Sequence, residues 1–245
     1  MYLTALNPIL ESLAVSVAFG IIAYTAGTVS KSGFLGGVLL GTAIYYCAGW
    51  GGFAVLGVFF IAGSALTRIG YRNKAKKGLA QADRGRRGAR HALANCAAGL
   101  ALAVVYKLTS GNQIIGAAFV ASFATAAADT AGTEFGSLFG RTAVLPTTFR
   151  RVAPGTPGAV SLEGTAASAL AALLLASSGW LTSLAANVNL ALAAAAAAFL
   201  AAWLESVLGA FPGVERLLGN VGKNVLNTVT GALICLILAG LLGLR

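Results

Sequence analysis

The feature that most constrains this chain is a series of long apolar segments separated by short polar breaks. Each is close to the ~20 residues that an α-helix needs to cross a bilayer. The second and third are short and rich in glycine, so seven spans with one re-entrant segment is an alternative to eight. We interpret eight segments as spans: 9–29, 33–49, 51–67, 92–109, 113–133, 161–178, 184–204 and 224–243.

Composition supports a membrane protein. Hydrophobic residues make up 58% of the chain and charged residues only 10%, against roughly 25% charged in an average soluble domain. The alternating polar pattern of a transmembrane barrel is absent from the sequence. We therefore predict an all-α, polytopic transmembrane helical bundle of about 7–8 helices, forming one integral-membrane domain over residues 1–245. The N-terminus lacks the basic start of a secretory signal, so we expect the first segment to be retained.

The distribution of charge predicts the orientation of the bundle. Residues 68–90 contain nine of the 17 lysines and arginines, and loops of this kind stay in the cytoplasm. With eight spans, the basic loop (68–91) and the loop at 134–163 lie on the cytoplasmic side of the cell (inner) membrane, and both termini lie outside. The net charge of +10 suits anionic lipid or phosphate. We do not expect nucleic acid, because Tyr71 is the only aromatic residue in the basic loop for base stacking.

Two of the seven acidic residues stand at the end of the fifth segment. Asp129 and Glu134 are functional candidates, because an ionisable group at membrane depth is costly. Five positions apart, they do not share one helix face cleanly. Mg²⁺ prefers such oxygen ligands and usually shares them with substrate phosphates; the alternative is structural ion pairing with Arg141 or Arg150. Glycines at helical spacing, which allow close approach of a backbone or ligand, follow at Gly132, Gly136 and Gly140.

The next loop, RRVAPGTPGAVSLEGTAAS (150–168), places two arginines before a turn rich in glycine, proline and threonine. A helix of small residues that contains Glu163 follows the turn. Backbone N–H groups of such a turn, together with the positive end of the helix, suit a phosphate. The GxxxxGK[ST] pattern of P-loop kinases does not occur in the sequence.

These motifs together resemble a known family. The pattern resembles that of the integral-membrane family that contains the phytyl-phosphate kinase of tocopherol synthesis and prokaryotic relatives. More distantly, it resembles membrane cytidylyltransferases and polyprenol kinases. The chain departs from the family pattern at Thr133, Pro157, Ala159 and Lys223. The residues that carry the resemblance are Asp129-Thr130, Glu134-Phe135-Gly136, Pro146-Thr147-Thr148, 152–156 and 158–165, with weaker agreement at 30–41, 63–77, 90–95, 205–209 and 224–227.

The resemblance implies a kinase that transfers a phosphoryl group from CTP to a membrane-embedded prenyl monophosphate, such as phytyl phosphate, with Mg²⁺ as cofactor. Its acceptor is already a phosphate, so the reaction requires charge neutralisation more than a general base. The predicted catalytic residues are Asp129, Glu134 and Glu163. The predicted metal ligands are these three and Glu205. The predicted nucleotide-binding residues are Asn95, Arg150, Arg151, Gly155, Thr156, Ser161, Asn224 and Asn227.

Two other classes of function stay open at this point. One is a cytidylyltransferase that makes a CDP-lipid; the other is a non-enzymatic lipid transporter or lipid-binding protein. A homodimer is compatible with either class and with the kinase.

We interpret His91, the only histidine, as a surface or capping residue outside the site. Three cysteines without CxxC spacing are interpreted as small packing residues: Cys47, Cys96 and Cys235.

Overall fold

The computed structural model describes residues 7–244, except for the side chains of Pro212 and Glu215. All of its helices but the short α3 are long and apolar enough to cross a membrane, which makes seven within the described residues. The predicted all-α polytopic bundle is confirmed. The helices are α1 (Pro8–Thr25), α2 (Lys31–Arg68), α3 (Tyr71–Lys76), α4 (Ala89–Leu108), α5 (Gln113–Phe139), α6 (Leu162–Leu181), α7 (Val188–Gly209) and α8 (Pro212–Leu241).

Most of the long helices begin at a residue whose side chain accepts a hydrogen bond from the first helical turn. Asn and Ser suit this role because a short side-chain oxygen reaches the unpaired N–H groups at a helix start. Each of these caps lies close to the start of a predicted apolar segment. The capping residues and the hydropathy therefore indicate similar helix starts. The capping residues are Asn7 (α1), Ser30 (α2), Asn112 (α5), Ser161 (α6) and Asn187 (α7).

Helix α2 is a hairpin of two membrane-length halves. Its 38 residues are interrupted at Gly49, which has φ 63° and ψ −162°, a conformation open to glycine. The rings of Tyr45 and Phe53, on either side of the break, lie 5.7 Å apart. Near the other end of the hairpin, a Cβ added to Gly33 or to Gly63 would collide with Arg87. The chain therefore reverses at Gly49, so the two halves of α2 correspond to the predicted segments 33–49 and 51–67.

Helix α5 is the centre of the bundle and packs against α2, α4, α6, α7 and α8. Its residues 116–128 are all buried. Facing it, α7 buries alanines such as Ala194 and Ala198, whose small side chains allow helices to approach closely. The packing role predicted for the cysteines is confirmed, because Cys96 and Cys235 are buried in this core and Cys47 packs against it.

The contact between α5 and α6 is one of backbone against backbone. A Cβ added to Gly164 of α6 would lie 2.7 Å from the carbonyl oxygen of Gly132 and 3.2 Å from the Cα atom of Gly136. We predicted that the glycines at helical spacing on α5 would allow close approach of another backbone, and α6 packs against them. A three-stranded antiparallel sheet bridges the two helices, in the order β2 (Arg151–Val152), β1 (Ala143–Val144), β3 (Val160–Ser161).

Charged groups separate between the two ends of the bundle. At the end with the Gly49 turn, the hydroxyl of Tyr45 donates to the Glu11 carboxylate at 2.6 Å. Lys107 donates to the carbonyl oxygen of Tyr46 at 3.1 Å. The basic loop, the sheet and the ends of α5 and α7 gather at the other end, which we call the polar end. This grouping matches the one predicted from charge, and its assignment to the cytoplasm stays a prediction.

Candidate functional site

A cavity of about 750 Å³ lies at the polar end of the bundle. Side chains of α4, α5, α6, α7 and α8 form its helical walls. The segment 79–87 and the loop 154–161 form the remaining walls. The first turn of α6 contributes Ser161, Gly164 and Thr165, so the positive end of that helix dipole faces the cavity. Such a helix end favours an anion.

Asp129 presents a carboxylate to this cavity from the centre of the bundle. It is half-buried and interacts electrostatically with Glu205 of α7 and Lys223 of α8. All three residues line the cavity. The fold thus brings together two acids and one cation from segments that are far apart in sequence.

Glu134 lies on another face of α5 and does not line the cavity. Its carboxylate pairs with the ammonium of Lys74 and accepts a hydrogen bond from Gln81 Nε2 at 2.8 Å. Lys74 also donates to the carbonyl oxygen of Thr67 at 2.9 Å. The expectation that Asp129 and Glu134 do not share a face is confirmed. The ion-pair partner of Glu134 is Lys74, and not Arg141 or Arg150.

The PGTPG turn is shaped by two glycines with positive φ, Gly155 (88°) and Gly158 (73°). A Cβ on Gly155 would lie 2.2 Å from Leu79 Cδ2, and one on Gly158 would lie 2.2 Å from the backbone nitrogen of Ala210. The Thr156 hydroxyl donates to the carbonyl oxygen of Ala153 at 2.7 Å. The glycines thus allow the turn to contact both the basic loop and the end of α7.

Several predicted site residues meet in the cavity and others lie outside it. Asn95 is buried, donates to the carbonyl oxygen of His91 at 2.9 Å and lines the cavity. Asn224 lines it from α8. Asn227, one turn further, is buried with an unpaired Oδ1 and lines a smaller apolar cavity between α7 and α8. Five predicted site residues are absent from the lining of the large cavity: Glu134, Arg150, Arg151, Glu163 and Asn227.

The fold also brings to the cavity several residues that were not predicted from the sequence to belong to the site. His91, interpreted as a surface or capping residue, lines it, as do Arg87, Gln81 and Trp203. Arg87 is only 4% exposed. Nothing in the spacing of the basic run distinguishes Arg87 from its eight neighbouring cations, because its burial depends on glycines in α2 that are distant in sequence.

The cavity offers few metal ligands. Among residues 7–244 there is no group of three or more His, Cys, Asp or Glu side chains that could hold a metal. Asp129 and Glu205 form a pair. Two carboxylates fit Mg²⁺, because that ion is usually held by one or two carboxylates together with substrate phosphates and water. The donor set suits a metal that arrives with a nucleotide.

These features define a multi-pass helical membrane protein with a polar cavity at one end of its bundle. The chain belongs to the integral membrane protein family DUF92, whose sequence model matches residues 14–232.

Three relatives resemble most of the chain. It is 34% identical to the chloroplastic protein VTE6 of Arabidopsis thaliana over 85% of its own length, but spans only 65% of that protein. It is 37% identical to an uncharacterised membrane protein of Synechocystis, covering 81% of this chain and 78% of the relative. A membrane protein of Methanocaldococcus jannaschii is 29% identical, over 83% of each chain. No solved structure matches the chain.

Proposed function

We propose that this protein transfers the terminal phosphoryl group of a nucleoside triphosphate, CTP, to a prenyl monophosphate in the membrane, giving the prenyl diphosphate. The observation that carries the proposal is the meeting of Asp129, Glu205 and Lys223 in one cavity with the N-terminus of α6. The similarity to VTE6 and the motif resemblance to phytyl-phosphate kinases point in the same direction.

The chemistry of this reaction suits the residues of the cavity. The attacking group is a phosphate oxygen, which has little need of a base to remove a proton. The requirement is to hold two polyanions together and to stabilise the charge of the transferred group. Lys223 and the first turn of α6 provide positive electrostatic potential on the walls. Asn95 and Asn224 provide neutral hydrogen-bonding groups that orient a ligand.

Asp129 and Glu205 are the residues that would hold Mg²⁺. A bound Mg²⁺ ion would neutralise phosphate charge and fix the orientation of the nucleotide. We assign Glu134 a structural role, because its carboxylate is paired with Lys74 and Gln81. These contacts attach the basic loop to α5. Arg150 and Arg151 are exposed on the sheet, where they attract nucleotide toward the entrance. The cavity would lie on the cytoplasmic side of the cell membrane.

A product assay tests the proposal directly. Purified protein in lipid nanodiscs is incubated with CTP, ATP, GTP or UTP, with Mg²⁺, and with phytyl, geranylgeranyl or farnesyl phosphate. Release of CDP together with prenyl diphosphate is the expected result. Release of pyrophosphate would instead identify a cytidylyltransferase. The absence of turnover and of stabilisation by nucleotide across the whole panel would overturn an enzymatic function.

A further inference from the structure

Arg87 is a buried cation that lines the polar cavity. Its Nε and Nη2 atoms are buried, and no described residue accepts a hydrogen bond from either of them. The guanidinium carbon lies 5.3 Å from the centre of the Phe59 ring. Two main-chain hydrogen bonds hold the backbone of Arg87. Its N–H donates to the carbonyl oxygen of Thr28 at 3.0 Å, and its carbonyl oxygen accepts from the Ser30 N–H at 3.1 Å.

Two glycines of α2 leave the space that Arg87 occupies. A Cβ on Gly63 would lie 2.4 Å from Arg87 Nη2, and one on Gly33 would lie 2.0 Å from the Arg87 carbonyl oxygen. Burial lowers the pKa of the Arg87 guanidinium, yet an arginine stays protonated in proteins. A buried cation with unpaired donors is costly. An anionic ligand that accepts these hydrogen bonds would offset the cost.

Arg87 stands where two cavities meet. One is the polar cavity described above. The other, which we call the α1–α2 cavity, has a volume of about 80 Å³ and includes Arg87 in its lining. Apart from Arg87 and Ser16, its lining side chains are apolar. At Gly37 the cavity reaches an exposed position, where an added Cβ would meet nothing within 4 Å. Its aromatic lining consists of Phe19, Phe34, Phe53, Phe59 and Phe60.

We propose that Arg87 binds the phosphate of an isoprenyl monophosphate whose hydrocarbon chain lies in the α1–α2 cavity. The inference rests on the proposed function, because it assigns the binding site of the acceptor substrate. Arginine donates paired hydrogen bonds to phosphate, and these are strong where water is excluded. A narrow apolar cavity suits one hydrocarbon chain, and its exposed position at Gly37 lets the end of a long chain continue into the bilayer.

The second apolar cavity, between α7 and α8, is a poorer site for this lipid. Its volume is about 160 Å³, and its lining includes the carboxylate of Glu205 beside Lys223. A carboxylate at that position repels a phosphate group. Arg87, in contrast, brings two unpaired donors to its cavity. The charges therefore place the lipid phosphate at Arg87 and leave Asp129, Glu205 and Lys223 for the nucleotide.

Binding without nucleotide tests this assignment independently of turnover. Thermal stabilisation and calorimetry of the detergent-solubilised protein are compared for geranylgeranyl phosphate, geranylgeraniol, inorganic phosphate and dioleoyl phosphatidate. We expect geranylgeranyl phosphate to bind best. Arg87→Met should weaken its binding roughly tenfold or more, as expected for the loss of charge-assisted hydrogen bonds. Arg84→Met removes the same charge from an exposed side chain of the same loop and should leave binding unchanged.

A second pair of variants tests the path of the hydrocarbon chain and leaves Arg87 intact. Gly57→Val narrows the α1–α2 cavity, where an added Cβ meets only Phe19 Cζ, at 4.0 Å. It should weaken binding of geranylgeranyl phosphate and spare dimethylallyl phosphate. Gly240→Val, at a position of α8 with nothing within 4 Å, is the control.

The outcomes separate the two proposals. Binding that depends on Arg87 in a protein without kinase turnover would preserve this inference and overturn the proposed function. Normal KM for the prenyl phosphate in an active Arg87→Met protein would overturn the inference alone. Binding of phosphatidate as tight as that of geranylgeranyl phosphate would also overturn the inference. So would a result in which Leu226→Trp, which fills the cavity between α7 and α8, abolishes binding of the long-chain phosphate while Gly57→Val does not.

Discussion

Lys74 and Glu134 form an ion pair that is almost fully buried, with 1% and 4% of their side chains exposed. The two residues are 60 positions apart, so the pair fixes α3 of the basic loop against α5. Glu134 therefore anchors the helix that carries Asp129, and we expect the two acids of this helix to have separable effects on stability and activity.

Neutralising Glu134 should destabilise the protein. We expect Glu134→Gln to lower the free energy of unfolding by about 3–5 kcal/mol, because it leaves Lys74 as a buried cation without its counter-charge. Thermal denaturation in detergent measures the loss. Asp83→Asn is the control, because its pair with Arg86 is 46–47% exposed and exposed pairs contribute little. An unchanged melting temperature in Glu134→Gln would contradict a structural role for the pair.

Neutralising Asp129 should have the opposite profile. We expect Asp129→Asn to fold with near-normal stability, because asparagine preserves size, and to lose turnover by about a hundredfold or more, as for one strong transition-state contact. The measurement is product formation across a Mg²⁺ titration, with melting temperatures of the same samples. Near-normal activity with an unchanged Mg²⁺ dependence would remove Asp129 from the site.

The contact between the PGTPG turn and the end of α7 can be tested with a matched pair of glycines. Gly158 and Gly78 have similar positive φ, 73° and 69°, but a Cβ on Gly78 would meet nothing within 4 Å. Gly78→Ala should cost about 1–2 kcal/mol through backbone strain alone. Gly158→Ala adds a collision with Ala210 and should reduce both stability and turnover further. Equal melting temperatures for the two variants would show that the close contact has no energetic weight.

Accessibility of single cysteines tests the orientation. In a background without native cysteines, residues introduced at Lys76 and Pro154 should react with an impermeant thiol reagent only after the cells are permeabilised. A cysteine at Gly111, beyond the end of α4, should react in intact cells. External reaction at Pro154 with Lys76 still protected would show that the two walls of the cavity lie on opposite sides of the membrane.

Hydropathy and segment length were enough to predict the bundle from sequence. The break at Gly49 coincides with the predicted end of the span 33–49, and a glycine at a helix boundary can adopt the positive φ that this break requires. The grouping of charged residues predicted the polar end, because that grouping depends only on where the residues lie along the chain. It requires no knowledge of tertiary contacts.

The candidate site was predictable only in part. Asp129 and Asn95 lie on predicted helices at the polar end, so their approximate depth followed from the spans. The pairing of Glu134 with Lys74 did not, because the basic run supplies nine cations and only the packing of α3 against α5 selects one. The burial of Arg87 could not be predicted either, because it depends on the space left at Gly33 and Gly63.

The close approach of α5 and α6 determines which parts of the polar end can move. With Gly164 packed on Gly132 and Gly136, the two helices cannot slide past each other without atomic overlap. We therefore expect the non-helical walls, residues 79–87 and the loop 154–161, to accommodate the entry of a ligand. The side chain of Leu79 rests on Gly155 where these two segments touch, and we expect the protein to open for exchange along this seam.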